Sequence, residues 1–172
     1  YYSTIFGRQH DIHMLMGGAE HYAWMLAKHL ALRKHDVTVL TAHIPKECVK
    51  RIEREFQILR VRAFLLFEAN PVSLEQVVRH FQLKDVDLFH CMHHVAHMTK
   101  IAAFCGSFLR KPLVVTFHGI FVKKYHLWKR YPSVLAKCIT VSSYEALAYF
   151  KKVGLGHKVL YIPNGVDDDF FR

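Results

Sequence analysis

Three stretches of the chain place anion-binding or proton-carrying groups next to segments that could hold them. The first is Gly17-Gly18-Ala19-Glu20. Adjacent glycines let backbone N–H groups approach an anion closely, and a helix starting there adds favourable partial charge. A tight turn that uses the glycines only for their dihedrals is the alternative. Glu20 then reads as an acid complementing the first turn of that helix. The second stretch is Thr116-Phe117-His118-Gly119. His118 leaves the end of a very apolar run, where an imidazole could donate to a phosphate or sugar hydroxyl, or move a proton. A packing histidine is the plainer alternative. The third is His90-Cys91-Met92-His93-His94-Val95-Ala96-His97. His93 and His97 stand at i, i+4, and with Cys91 or His90 they could hold a metal. No H-E-x-x-H pattern or second cysteine pair accompanies them, so a histidine-lined crevice without metal is expected.

A fourth stretch mixes cations with rings: Lys123, Lys124, Tyr125, Trp128, Lys129 and Arg130. Such a mixture suits an anionic membrane interface or a lipid-linked acceptor as well as nucleic acid. No nucleic-acid motif accompanies it, which disfavours the last of these. Lys46, Lys50, Arg51 and Arg54 recur at helical spacing and predict one positive helix face. The whole chain is basic, with 24 Lys plus Arg against 14 Asp plus Glu, a formal charge of +10 before its 14 histidines are counted. That balance keeps anionic surfaces and phosphorylated ligands in view without choosing among them.

What must position these residues is an alternation of two periods. Val37–Thr41, Val86–His90, Leu113–Phe117, Cys138–Ser142 and Val159–Ile162 are short β-branched or aromatic runs, as in strands buried on both faces. Phe56–Val61 is more polar and predicts a strand nearer an edge, and Ile12–Met16 offers a first strand. Between them, Ala23, Leu26, Ala27 and Leu30 share a helical face. So do Leu74, Val77, Val78 and Phe81; then Met98, Ile101, Ala102, Cys105 and Leu109; then Ala146, Leu147 and Phe150. Ser73 with Gln76, and Ser142 with Glu145, match the capping-box spacing. Gly154 marks the end of the last helix. Strands alternating with helices imply right-handed crossovers: an α/β, doubly wound, mostly parallel Rossmann-like sheet, whose ligands sit beyond the carboxyl ends of the strands.

With 172 residues, 52% of them apolar, the chain can bury a real core as one domain. Its longest uncharged apolar stretches, Ile101–Leu109 and Pro112–Val122, fall short of the roughly 18 residues that span a bilayer. Four separated cysteines (Cys48, Cys91, Cys105 and Cys138) read as reduced, mostly buried thiols, which points to a cytoplasmic protein.

The order of the motifs resembles glycosyltransferase family 4. Gly17-Gly18-Ala19-Glu20, the helix after it and Arg33-Lys-His-Asp-Val-Thr-Val-Leu-Thr41 are similar to that family's opening, G-G-x-E, a helix, then G-H-x-V-x-V, with Lys34-His35 standing for Gly-His. Asp85–His90, Val114–Gly119, Ile139–Ser143 and Ile162-Pro-Asn-Gly-Val-Asp167 follow in the family's order. The resemblance implies the N-terminal, acceptor-side half of a GT-B fold, with an interdomain hinge at 162–167 and a donor-binding domain outside this chain. It implies a retaining, metal-independent transferase that uses a nucleotide-sugar donor as substrate and no cofactor. Gly17 and Gly18 would meet the donor diphosphate and His118 would stand beside the transferred sugar. Glu20 and Gly119 would support them, while Asn164 and Gly165 would belong to the hinge. The acceptor, a sugar or a lipid-linked group, would lie near Lys123–Arg130, at the cytoplasmic face of a membrane.

Two other readings compete. One is a non-catalytic subunit of a split glycosyltransferase, whose donor half is a partner chain. The other is a basic module for anionic lipid or nucleic acid, with His118 structural. On the first reading, and on the leading one, the chain alone is inactive because half of the cleft lies outside it.

Overall fold

The computed structural model describes residues 18–42, 50–52, 56–61, 65–67, 70–92, 97–118 and 127–165. The predicted first strand at Ile12–Met16 lies outside these residues. Helix α1 (Gly18–Leu32) leads into β1 (Thr38–Ala42), which pairs in parallel with β3 (Gln57–Val61), Thr38 opposite Gln57. β2 (Lys50–Ile52) pairs antiparallel on the other side of β3. Two sequence expectations are corrected here. The 57–61 strand sits between two neighbours rather than at an edge, with Ile58 and Val61 buried. Lys50 and Arg51 of the basic cluster belong to a strand and not to a helix face, while Lys46 and Arg54 lie outside the described residues.

A short hairpin, β4 (Leu65–Phe67) with β5 (Asn70–Val72), precedes α2 (Leu74–Gln82). The second sheet follows: β6 (Phe89–Cys91), α3 (His97–Phe108), β7 (Leu113–Phe117), α4 (Leu127–Leu135), β8 (Cys138–Val141), α5 (Tyr144–Lys152) and β9 (Val159–Tyr161). Its order is β6-β7-β8-β9, and every pair in it is parallel. Strands alternating with helices thus give the parallel α/β sheet that the two periods predict.

Two apolar clusters hold these units. Ala27 of α1 packs with Phe56 and Ile58, and the Trp24 ring meets Phe56 edge-on at 5.1 Å. The larger cluster runs through Phe89, Leu113, Val115, Phe117, Ile139, Val141 and Phe150. The Phe117 and Phe150 rings meet at 4.6 Å and 80°. Among the described cysteines, Cys91, Cys105 and Cys138 are free thiols.

Helix ends show where side-chain identity yields to geometry. Helix α5 ends at Gly154, φ 80°, with the Leu155 N–H reaching back to the Phe150 carbonyl and the Gly154 N–H to Lys151. This is the Schellman arrangement, in which glycine is preferred. Helices α1 and α3 close in the same way on Lys34 (φ 67°) and Arg110 (φ 55°). Lys34 thus holds a left-handed conformation at the position where the family pattern has glycine. Ser73 caps α2, accepting from the Gln76 N–H at 3.3 Å as its spacing predicts. At α5 the cap is Ser143, which accepts from Ala146, rather than Ser142; the sequence reading was one residue early.

Helix α2 overturns a larger expectation. Its Leu74, Val78 and Phe81 share a face, but Leu74 is 76% and Val78 56% exposed. The inward face is polar instead. Gln76 donates to the Met98 carbonyl at 2.8 Å, His80 Nδ1 lies 2.7 Å from the Gln76 carbonyl, and the His80 ring packs 5.2 Å from Phe89. Gln76 and His80 go inside because hydrogen bonds are there to receive them. The Phe81 ring meets Phe108 of α3 edge-on at 5.5 Å.

One close approach has no side chain in it. Gly106, buried in α3, lies so near β6 that a Cβ there would stand 3.3 Å from the Phe89 ring and 3.5 Å from the Lys111 carbonyl.

Candidate functional site

β7 delivers His118 to the carboxyl edge of the sheet, half-buried, directly after Phe117. The Tyr22 ring lies across it, centroids 4.7 Å apart and 68° between planes. Tyr22 is four residues into α1, and one helical turn rises about 5.4 Å, so the start of α1 at Gly18 lies about a turn from that contact. Tyr22 therefore links the first turns of α1 to His118. The α1 N-terminus supplies N–H groups free of helical partners, and His118 supplies a ring nitrogen that can donate or accept.

Behind His118 lies a chain of polar side chains across three strands. His90 Nε2 sits 2.8 Å from Thr116 Oγ1, which sits 2.6 Å from Thr140 Oγ1. Burial holds His90 down to about 4, and the charge of His118 pushes in the same direction. His90 is therefore neutral near pH 7. The same burial raises Cys91 to about 12, so its thiol stays protonated there and offers no nucleophile.

This fixes a pH dependence. An unfolded histidine titrates near 6.5. Because the folded value is lower, the unfolded chain binds the proton first as pH falls, and stability is lost between about 6.5 and about 4. Burial lowers His80 as well, so it acts in the same direction. Urea unfolding at pH 7 and pH 4.5 should show an acid loss of up to about 3 kcal/mol from His90. His90→Gln should flatten that slope; an unchanged slope would remove His90 from the account.

The other predicted residues distribute as follows. Gly17, Gly119, Lys123, Lys124 and Tyr125 lie outside the described residues, as does His93. Glu20 falls in the first turn of α1, and Trp128, Lys129 and Arg130 fall within α4. Asn164 and Gly165 are exposed beyond β9. Among the described residues, no three His, Cys, Asp or Glu side chains gather to hold a metal ion, and no helix is long and apolar enough to cross a membrane. Sequence reasoning missed Tyr22 and Thr140. A threonine inside the run Cys138-Ile-Thr-Val was a usable signal, since a buried hydroxyl requires a partner. Nothing in the spacing of Tyr22 pointed to His118.

Solved structures of similar shape put this arrangement in context. The chain matches the Anabaena protein Alr3699/HepE crystallised with UDP and glucose, at a TM-score of 0.64 and 17% identity, covering 90% of this chain and 43% of that one. HepE crystallised with UDP matches with a TM-score of 0.63 and the same identity and coverage. HepE with UDP-glucose matches with 0.52 and 16%, over 66% of this chain and 32% of that one. At such identity the likeness is one of fold. The chain spans less than half the length of these proteins. No curated protein matches it in sequence. The model of Glycosyltransferase Family 4 matches residues 16–170, nearly the whole chain, and the chain belongs to that family.

Proposed function

We propose that this chain is the acceptor-side, N-terminal domain of a retaining GT-B glycosyltransferase that takes its sugar from a uridine diphosphate sugar. The observation that carries this is the Tyr22–His118 contact, which seats the imidazole against the first turns of the glycine-started helix. A sugar diphosphate needs that pairing. Its phosphates suit the N–H groups of Gly17 and Gly18 at a helix N-terminus, and its sugar hydroxyls suit an imidazole that can hydrogen-bond them. As the bond between anomeric carbon and phosphate oxygen breaks, charge grows on the leaving diphosphate. Fixed dipoles there stabilise that charge without reorganising. The reading requires no metal and no cofactor.

The remaining parts follow from the family. Glu20 and Gly119 support the glycine turn and the imidazole. Residues 162–167, with Asn164 and Gly165 exposed, form the hinge to a donor-binding domain, and closing that hinge excludes water from the cleft. Trp128, Lys129 and Arg130, which belong to α4, would together with Lys123, Lys124 and Tyr125 meet an anionic or lipid-linked acceptor at the cytoplasmic face of a membrane.

Titration of the full-length protein with UDP and UDP-glucose tests this. Saturable binding of both at 0.2 M salt, with UDP released when acceptor is added, is the expected result. Binding only to anionic vesicles or nucleic acid, steeply salt-dependent and indifferent to UDP-glucose, would overturn it in favour of a basic binding module.

A further inference from the structure

We infer that the His90–Thr116–Thr140 chain is a positioning network that sets the aim of the His118 imidazole; this rests on the role proposed for His118. The strand registers assemble it. Thr116 lies directly opposite Thr140, and His90, paired with Val114, reaches diagonally to Thr116. Thr116 is 3% exposed and Thr140 8%, each within a strand whose other residues are Val, Ile, Leu, Phe and Cys. Valine has nearly the shape of threonine and asks for no partner. A buried hydroxyl pair with a half-buried histidine is thus an expensive way to fill this space, unless direction matters.

Direction is what it provides. Thr116 Oγ1 has one proton and two lone pairs, so it can relay a hydrogen bond from His90 Nε2–H to Thr140, relay one from Thr140 to a bare Nε2, or accept from both neighbours. Every arrangement ties β6, β7 and β8 together at one level. Thr116 lies on β7 two residues before His118, which follows the strand's last residue, Phe117. The network therefore grips the carboxyl end of β7, just before the residue that carries the imidazole. His90 and His118 are near enough to feel one another's charge.

The test uses the full-length protein labelled with [15N]histidine, the His118 ring signals being identified by their loss in His118→Gln. Thr116→Val should change the tautomer balance read from the His118 ring nitrogens, and Thr116→Ser should restore it. With UDP-glucose as donor, Thr116→Val should lower kcat by about ten-fold and change KM by less than about two-fold, a loss of orientation rather than of binding. In a His118→Ala background the same substitution should cost nothing more, because the residue it positions is gone. If Thr116→Val does not fold, Thr140→Val carries the same measurements. Unchanged His118 signals, or a Thr116→Val loss that adds fully to that of His118→Ala, would overturn the inference and leave His118's own role standing. Full activity in His118→Ala would overturn both.

Discussion

His118→Ala in the full-length protein should lower kcat for sugar transfer by about 10²–10³-fold, the loss typical of removing one preorganised donor at a developing charge. Stability should barely change. His118 is half-buried, and the edge-on approach of its ring to Tyr22 is worth about 0.5–1.5 kcal/mol. The conservative variant separates two chemistries: His118→Asn keeps an N–H donor near the same place and removes the titrating ring. Partial recovery in His118→Asn would assign hydrogen bonding to the sugar, and no recovery would assign proton movement. Turnover of UDP-glucose measured beside thermal unfolding decides the matter. A large drop in melting temperature with turnover unchanged would return His118 to the core.

Phe150→Ala should be the most damaging substitution for stability. Its side chain is 1% exposed, on the inner face of α5, with the ring edge-on to Phe117. Truncation removes the buried ring and leaves a cavity lined by Phe117 and its neighbours, at a cost of about 3–5 kcal/mol. Against a total of about 5–15 kcal/mol for a typical domain, that is a large share. Because Phe117 immediately precedes His118, the damage should also reach the site. Urea unfolding should show a lower midpoint with little change in slope, and turnover should fall at temperatures where the protein is still folded. A midpoint shift below about 1 kcal/mol would mean that the cavity refills and the Phe117–Phe150 contact is not a structural anchor.

The fold was legible where a residue's type and its environment agree. Leu113–Phe117 reads as a buried strand because all its side chains but Thr116 are apolar, and the structure has β7 at those residues. It was illegible where tertiary contacts reverse a local preference. On α2 the helical period was right and the side was wrong, because Gln76 and His80 find partners in α3 and β6 that no local pattern reveals. Lys34 and Arg110 end helices in a conformation for which the sequence advertises only glycine, so only Gly154 could be read in advance. The candidate site divides the same way. His118 and the glycine turn stand at the ends of elements and were visible. Tyr22 was not, because it joins the site through space, from a helix nearly a hundred positions earlier.

Gly106 acts in this fold as a shim of zero thickness. A glycine in mid-helix gives up about 1 kcal/mol of helix propensity relative to alanine, and here the missing methyl sets how far α3 stands from Phe89. Phe89 precedes His90 on β6, and His90 reaches Thr116 on β7. A clearance on the back of the sheet is thereby handed, one residue at a time, to the strand that carries the imidazole. A methyl group added at Gly106 should thus be felt first at Phe89 and only then, through His90, at Thr116.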